Sequence, residues 1–228
     1  MSRPHIAELA LSAVRDAPPG RPFVVAQLGQ SLDGRIATVS GDSRGINGSD
    51  ALDHLHALRA AVDAVVVGVG TVIADDPRLT VRRVSGRHPA RVVIDPANRA
   101  PADAQCFAAD GAPRFRVTVR AGTQPAGVHP VLLPATAAGI APAAIITHLY
   151  ALGMRRILVE GGADTLSRFL DAGLVDRLHI LMAPVILGSG KTGVAMAPIR
   201  LVTEALRPPT RTHAFPDGDV LFECNLRG

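Results

Sequence analysis

The residues whose types and order best suit chemistry lie between positions 157 and 170. A short apolar run that ends in Glu160 predicts a buried strand, two glycines follow, and Leu166, Phe169 and Leu170 then recur at helical spacing. Glycines at a strand-to-helix junction let a ligand approach the backbone closely, and the free N–H groups of a helix start favour an anionic group, above all a phosphate. Open α/β sheets place their ligands at the carboxyl ends of their strands. The segment therefore predicts a nucleotide site with an acidic residue at its mouth.

A second interpretation of the glycines, Gly161 and Gly162, needs no ligand. Many strand-to-helix turns contain glycine only because the chain has to reverse sharply. The pair is not part of a G-x-G-x-x-G dinucleotide fingerprint, and the later run at 188–192 (GSGKT) lacks the G-x-x-x-x-G-K-[ST] spacing of a P-loop. This segment alone leaves both interpretations open.

Composition limits the classes of protein to which the chain can belong. With 228 residues, 47% of them hydrophobic and 19% charged, it suits one large domain with a sizeable core. It has neither an apolar run of membrane-spanning length nor a signal core, so we expect a cytoplasmic protein with no membrane partner. It has no Trp, one Tyr and six Phe, too few stacking side chains to predict a nucleic-acid partner.

The sequence also predicts no metal site. Cys106 and Cys224 are far apart and form no C-x-x-C pair, which argues against both a disulfide and a thiolate site. His54 and His56 are two residues apart, which would place them on different sides of a helix.

Alternating strands and helices are predicted along the chain. Residues 1–21 form an N-terminal extension, with a helix over 6–16 and a proline-rich linker, and residues 22–228 form the main domain. Ser49 is a candidate N-cap of a second helix. The other elements expected are strands over 64–69, 91–96, 115–119, 157–160 and 178–187, a helix over 143–152, and an antiparallel strand over 219–226. This order predicts an α/β fold with a mainly parallel sheet and helices on both faces.

Three segments together carry a resemblance that none of them carries alone. They are residues 27–35 (QLGQSLDGR), residues 68–82 (GVGTVIADDPRLTVR), and residues 159–170 (VEGGADTLSRFL) with the later 183–188 (APVILG). In this order, over residues 22–227, the chain resembles the reductase domain family of bacterial riboflavin biosynthesis. The resemblance implies a dihydrofolate-reductase-like, three-layer α/β/α fold with a mainly parallel sheet and an antiparallel C-terminal strand, and it implies a homodimer.

The resemblance also implies an activity and a set of site residues. Members of the family use NADPH to reduce a phosphoribosylamino-pyrimidine, and hydride reaches the sugar C1′ to give a ribitylamino product. Glu160 and Gln27 would be the catalytic residues. The cofactor would contact Gly29, Thr71, Asp75, Gly161, Gly162, Ala163, Asp164, Thr165, Leu166 and Ser167. The phosphorylated pyrimidine would contact Ser43, Arg59, Leu79, Arg82 and Glu160.

Several of these positions also have simpler interpretations. Asp75 precedes Asp76-Pro77 and would cap a helix or turn, and Arg59 lies at a helix end, where a cation is favourable in any case. Thr71 would serve equally well as a turn residue. Asp33, followed by Gly34, is predicted to be a structural turn residue rather than a catalytic one.

The chain departs from the family pattern at two positions. Gln27 stands where many members have a lysine, and Gly45 stands where the bifunctional enzymes have an aromatic residue. An amide forms hydrogen bonds but brings no positive charge. The H-x-E and P-C-x-x-C motifs of the deaminase often fused upstream are missing, so its zinc site is not expected in this chain. The alternatives are a related diaminopyrimidinone-phosphate or pterin-type reductase, and a non-catalytic NADP-binding module.

Overall fold

The computed structural model describes residues 4–227, and the burial of side chains from residue 10 onward. The α-helices are α1 (Pro4–Arg15), α2 (Ser49–Ala61), α3 (Val69–Asp75), α4 (Pro142–Ala151) and α5 (Ala163–Asp171). The strands are β1 (Phe23–Ser31), β2 (Arg35–Ala37), β3 (Ala64–Gly68), β4 (Ala90–Ile94), β5 (Arg114–Thr118), β6 (Val128–Leu132), β7 (Ala135–Thr136), β8 (Gly139–Ile140), β9 (Arg156–Glu160), β10 (Arg177–Ala183), β11 (Lys191–Thr192), β12 (Thr210–Ala214) and β13 (Val220–Asn225).

One nine-stranded sheet, in the order β12-β13-β10-β1-β9-β3-β4-β5-β6, forms the centre of the molecule. The pairs from β10 to β6 are parallel, whereas β13 pairs antiparallel with both β10 and β12. This arrangement confirms the predicted α/β fold and its antiparallel C-terminal strand. Strand β9 lies between β1 and β3, and β10 lies on the other side of β1. The carboxyl ends of these central strands therefore meet at a switch in strand order, where α/β sheets bind ligands.

The central strands are buried because helices cover both faces of the sheet. Val66 of β3 packs in a cluster with α4 and α5, whereas Val65 and Val67 of the same strand pack in a cluster with α2 and α3. A strand that is covered on both faces needs apolar residues at successive positions, which explains the continuous valine run of β3.

Helix α1 packs against the same core as α2. Its Leu11 and Val14 are buried in the cluster that contains Leu58. The predicted division at residue 22 stays a prediction, and residues 1–3 lie outside the described part of the chain.

Two local predictions were wrong. The strand predicted over 178–187 ends at Ala183, and Pro184 after it has no N–H to donate to a sheet. Helix α2 has Gly48, not Ser49, at its N-cap, and neighbouring carboxylates take over the cap. Asp217 accepts the Asp50 N–H at 2.9 Å, and Asp219 accepts the Gly48 N–H at 2.9 Å.

Strand β6 was not predicted at all. Pro130 interrupts its pattern, and the strand tolerates a proline because it lies at the edge of the sheet.

Within residues 4–227 no helix combines the length and the apolar character that crossing a bilayer requires.

Candidate functional site

A cleft of about 870 Å³ opens at the carboxyl ends of the central strands. Its lining begins at Gln27 and Gly29 of β1, continues through Glu160 at the end of β9 and Gly68 at the end of β3, and reaches Arg99 beyond β4. The volume lies within the range of small-molecule and cofactor sites, and the position is the one that the strand order favours.

The glycines after β9 and the start of α5 pack closely against the end of β3 and the start of α3. Gly161 has a φ of +84°, and a β-carbon there would lie 2.9 Å from Thr71 Oγ1. The Gly162 N–H donates to the same Thr71 oxygen at 2.9 Å. In the opposite direction, Thr165 fills the space that a side chain at Gly68 would need. The sharp turn and the close packing therefore both require glycine, whether or not a ligand binds.

The start of α5 offers free backbone donors to the cleft. The amides of Ala163, Asp164 and Thr165 belong to the first turn, where an α-helix supplies no acceptor. All three residues line the cleft, together with the two glycines before them. A helix start with free N–H groups suits a phosphate.

Two residues of the predicted phosphate segment lie outside the cleft. Leu166 is fully buried in the core, and its N–H donates to the Gly162 carbonyl. Ser167 is buried as well, and its hydroxyl accepts the Ala195 N–H at 2.8 Å. Both follow from the helical period, because α5 turns these side chains away from the cleft and toward its neighbours.

A buried ion pair forms one wall of the cleft. Arg59, in the last turn of α2, donates from Nε and Nη2 to the two carboxylate oxygens of Glu160, at 2.7 Å each, and from Nη1 to the Thr80 carbonyl at 3.2 Å. The side chains of Arg59 and Glu160 are 7% and 6% exposed. Burial alone would lower the pKa of Arg59, but the adjacent carboxylate outweighs it and the pKa is raised. Both residues were predicted to lie around the substrate, and their bond to each other was not.

Gln27 and Glu160 are direct neighbours. They are register partners in the parallel pair of β1 and β9. Gln27 is 6% exposed and lines the cleft, and its amide forms no hydrogen bond with any residue of the described chain. The Gln27 amide, together with the Glu160 carboxylate beside it, therefore provides hydrogen-bond donors and acceptors for a polar ligand.

On the opposite side of the cleft, Asp75 lies at the end of α3. Burial raises the pKa of Asp75, while Lys191, Arg44 and a hydrogen bond with Ser43 oppose that rise. Ser43 and Asp75, both predicted site residues, thus meet across the cleft mouth. Lys191 of β11 also lines the cleft, and sequence reasoning had considered it only as part of a rejected P-loop.

Arg99 is a functional candidate that the sequence did not reveal. It lines the far end of the cleft, and among residues 4–227 its guanidinium has no hydrogen-bond or ion-pair partner. It belongs to residues 99–141, where no periodic pattern marks a role. Arg168, which also lines the cleft, donates to the Ile140 carbonyl at 2.8 Å.

Of the three remaining predicted contact residues, Leu79 and Gly29 line the cleft and Arg82 does not. Leu79 lines the cleft and has a φ of 57°, a left-handed conformation that costs a non-glycine residue about 1–3 kcal/mol and is found mainly at functional sites. Arg82 is exposed and lies outside the cleft lining, where its Nη1 donates to Thr80 Oγ1 at 2.8 Å. Gly29 lies against the Asn47 amide, which leaves no room for a side chain.

Asp33 has the structural role that was expected of its Asp-Gly turn. Its carboxylate accepts the N–H groups of Leu187 and Gly188 and the hydroxyl of Ser31. These bonds, the one from the Ser31 hydroxyl having the largest effect, lower the pKa of Asp33 to about 2.

Among the described residues, no group of three or more His, Cys, Asp or Glu side chains is arranged to hold a metal ion.

Comparison with known proteins agrees with this geometry. Residues 22–207 match the family model described as the RibD C-terminal domain. The chain is 32% identical to a protein of Methanothermobacter thermautotrophicus named 2,5-diamino-6-ribosylamino-4(3H)-pyrimidinone 5′-phosphate reductase, over 91% of this chain and 100% of that protein.

Solved structures give the same result. A diaminohydroxyphosphoribosylaminopyrimidine deaminase/5-amino-6-(5-phosphoribosylamino)uracil reductase of Thermotoga maritima superimposes with a TM-score of 0.77 at 30% identity, over 90% of this chain and 56% of that one. The chain spans about half the length of the RibD proteins that it matches. Dihydrofolate reductase of Enterococcus faecalis, at 13% identity, matches in fold with a TM-score of 0.50 over 89% of this chain and 96% of that one.

Proposed function

The chain belongs to the RibD C-terminal domain family, and from this premise we propose that its cleft is the active site of a nicotinamide-dependent reductase of a ribosylamino-pyrimidine 5′-phosphate in riboflavin biosynthesis. One observation carries the proposal. A single cleft contains both the free amides of a helix start and a polar pair, Gln27 and Glu160, on adjacent strands. The first arrangement suits a dinucleotide, and the second suits the ring and sugar that it reduces.

The cofactor proposed is NADPH. The residues present fit it, because the close approach at Gly161 and Gly162 and the free amides of α5 form a cradle for its diphosphate. Arg99 supports a preference for the phosphorylated dinucleotide, since an unpaired arginine presents a fixed fork of donors that suits a phosphate. When bound, the nicotinamide supplies the hydride.

The chain's own residues position the substrate. Arg59 holds the Glu160 carboxylate in place, where it accepts hydrogen bonds from the ribosylamino group, while Gln27 bonds the pyrimidine edge beside it. Leu79 supplies an apolar wall that excludes water. Arg59 acts through Glu160, so it is a positioning residue rather than an anchor for the substrate phosphate.

Two substrates are candidates. One is 5-amino-6-(5-phosphoribosylamino)uracil, and the other is its 2,5-diamino precursor. The full-length similarity to the Methanothermobacter reductase favours the second.

An assay with both compounds tests the proposal. NADPH deuterated at C4 should transfer deuterium to C1′ of at least one of them and yield a ribitylamino product. Tight NADPH binding without deuterium transfer to either compound would instead support a non-catalytic NADP-binding module.

We propose that the protein acts as a homodimer. Several apolar side chains between β11 and β12 are more than half exposed, and such a group suits burial against a second copy. They are Ile199, Leu201, Val202 and Leu206. Sedimentation equilibrium would show a dimer, and a monomer at micromolar concentration would contradict it. A cytoplasmic location, and the absence of membrane and nucleic-acid partners, stay predictions.

A further inference from the structure

Lys191 is the single lysine of the chain, since the 24 basic residues comprise 23 arginines and this one. It lines the cleft and is exposed there. Within the described residues its ammonium forms neither a hydrogen bond nor an ion pair, although it is near enough to Asp75 to lower the pKa of that carboxyl against the effect of burial. Lys191 is therefore a cation at this end of the cleft that no described residue pairs.

The segment that carries Lys191 is fixed at both ends. We call residues 187–197 the strap. At its start, Asp33 accepts the N–H groups of Leu187 and Gly188, at 3.1 and 2.7 Å. At its end, α5 holds it through two side chains, because Ser167 accepts the Ala195 N–H and Asp171 accepts the Ala197 N–H.

The middle of the strap lies over the cleft. Strand β11, which is only Lys191 and Thr192, pairs with β2, and both residues line the cleft. Gly190 approaches the Ala37 carbonyl too closely to allow a side chain, and a β-carbon at Gly41 would lie 3.5 Å from Lys191 Nζ. The backbone of the strap is thus packed closely against β2, while Lys191 itself is exposed and open to a ligand.

Of the other positive side chains that line the cleft, Arg99, at the far end, is also unpaired in the described chain, and two are engaged. Arg59 is neutralised by Glu160, and Arg168 is bonded to a backbone carbonyl. Gln27 has no charge. Because the strap is held by the same helix, α5, whose first turn offers free amides to the cleft, we propose that Lys191 binds a phosphate group of a ligand in the cleft. This inference rests on the proposed function, which brings two such groups, the cofactor diphosphate and the substrate 5′-phosphate.

The single lysine allows a direct test without turnover. Reductive methylation with ¹³C-formaldehyde labels only Lys191 and the terminal amine and preserves the positive charge. The lysine resonance is assigned by its absence in Lys191→Arg. Titration with NADP⁺ should shift that resonance if the cofactor diphosphate is bound. Titration with the phosphorylated substrate, but not with its dephosphorylated riboside, should shift it if the substrate phosphate is bound.

Affinity measurements provide the second readout. Lys191→Met should weaken binding of the responsible ligand about 10- to 100-fold, the range for loss of a charge-assisted hydrogen bond, and Lys191→Arg should restore part of it. The inference would be overturned if neither ligand moves the Lys191 resonance and if Lys191→Met binds both ligands as tightly as the wild type. In that case turnover by the wild-type protein would still support the proposed function. A wild-type protein that neither binds NADP⁺ nor reduces either pyrimidine would instead contradict the proposed function itself.

Discussion

Helix α2 is joined to the sheet by two buried polar pairs that differ in every respect except burial. Toward its C-terminus, Arg59 donates to both carboxylate oxygens of Glu160 of β9, and its third nitrogen donates to the Thr80 carbonyl. In its middle, His54 Nε2 and His179 Nδ1 of β10 lie 3.0 Å apart in a single hydrogen bond. His54 Nδ1 and His179 Nε2 have no partner in the described chain.

The two pairs also differ in charge. Glu160 raises the pKa of Arg59, so Arg59 stays charged despite its burial. Burial lowers the pKa of His54 to about 4 and lowers that of His179 well below its usual value, so the second pair is neutral at pH 7. The ionised pair borders the cleft, and the neutral pair lies away from it. Of the two pairs that join α2 to the sheet, only the one beside the cleft is thus charged.

The largest effect is expected from Arg59→Met. It leaves the Glu160 carboxylate buried without its partner, which costs about 3–5 kcal/mol of folding free energy. Urea unfolding measures the loss.

The matched control for that variant is the double variant Arg59→Met/Glu160→Leu. Replacing a whole buried pair by apolar residues is often neutral or stabilising, so the double variant should recover most of the stability. If it is as unstable as the single variant, the ion pair is not the cause of the loss.

A smaller effect is expected from His54→Leu. It leaves His179 Nδ1 without its partner, and an unsatisfied buried polar group costs about 1–3 kcal/mol. The double variant His54→Leu/His179→Leu removes every polar atom of the pair and should be more stable than the single one. If urea unfolding shows that the double variant is as unstable as His54→Leu, or less stable, the hydrogen bond does not account for the loss of stability in the single variant.

The dependence of stability on pH should come from the histidine pair. Because the folded pKa of each histidine lies below the unfolded value of 6.5, the unfolded chain binds protons first as pH falls. The contribution of these histidines is then constant above pH 6.5 and decreases below it, by up to about 1.4 kcal/mol per pH unit for each histidine, and for His54 the decrease ends at about pH 4. The double histidine variant should keep only the part due to His56, whose pKa is also lowered to about 4, first by burial. An unchanged slope in that variant would contradict the assignment.

The smallest effect is expected at the start of α2. Asp217→Ala removes the carboxylate that accepts the Asp50 N–H and should cost about 0.5–1 kcal/mol. Because the loss is at the far end of α2 from Arg59, the Michaelis constants should not change. A raised Michaelis constant would show that the two ends of the helix are coupled.

What the sequence predicted and what it missed follow from the separation of the residues along the chain. The strand, glycine and helix pattern at 157–170 is local, so it predicted the cleft junction correctly. Arg59 and Glu160 lie 101 residues apart, and His54 and His179 lie 125 apart, so no spacing rule could pair them. Ser167 was assigned to the cofactor by the family resemblance, and local spacing does not reveal that α5 turns it toward the strap.

The strap was missed for a different reason. Its position is set by side chains of distant elements, Asp33 and α5, rather than by a period of its own. The run GSGKT gave only a negative result as a P-loop, so Lys191 received no role.

Our assignment is that the charged pair serves the reaction and the neutral pair serves only the fold. Its most direct test is kcat/KM for NADPH-dependent reduction by the two apolar double variants, at a temperature where both are folded. Arg59→Met/Glu160→Leu should lose at least about 100-fold, as expected when a positioned substrate contact is lost, while His54→Leu/His179→Leu should keep the wild-type value. Equal losses in the two variants, or full activity in the first, would contradict the account.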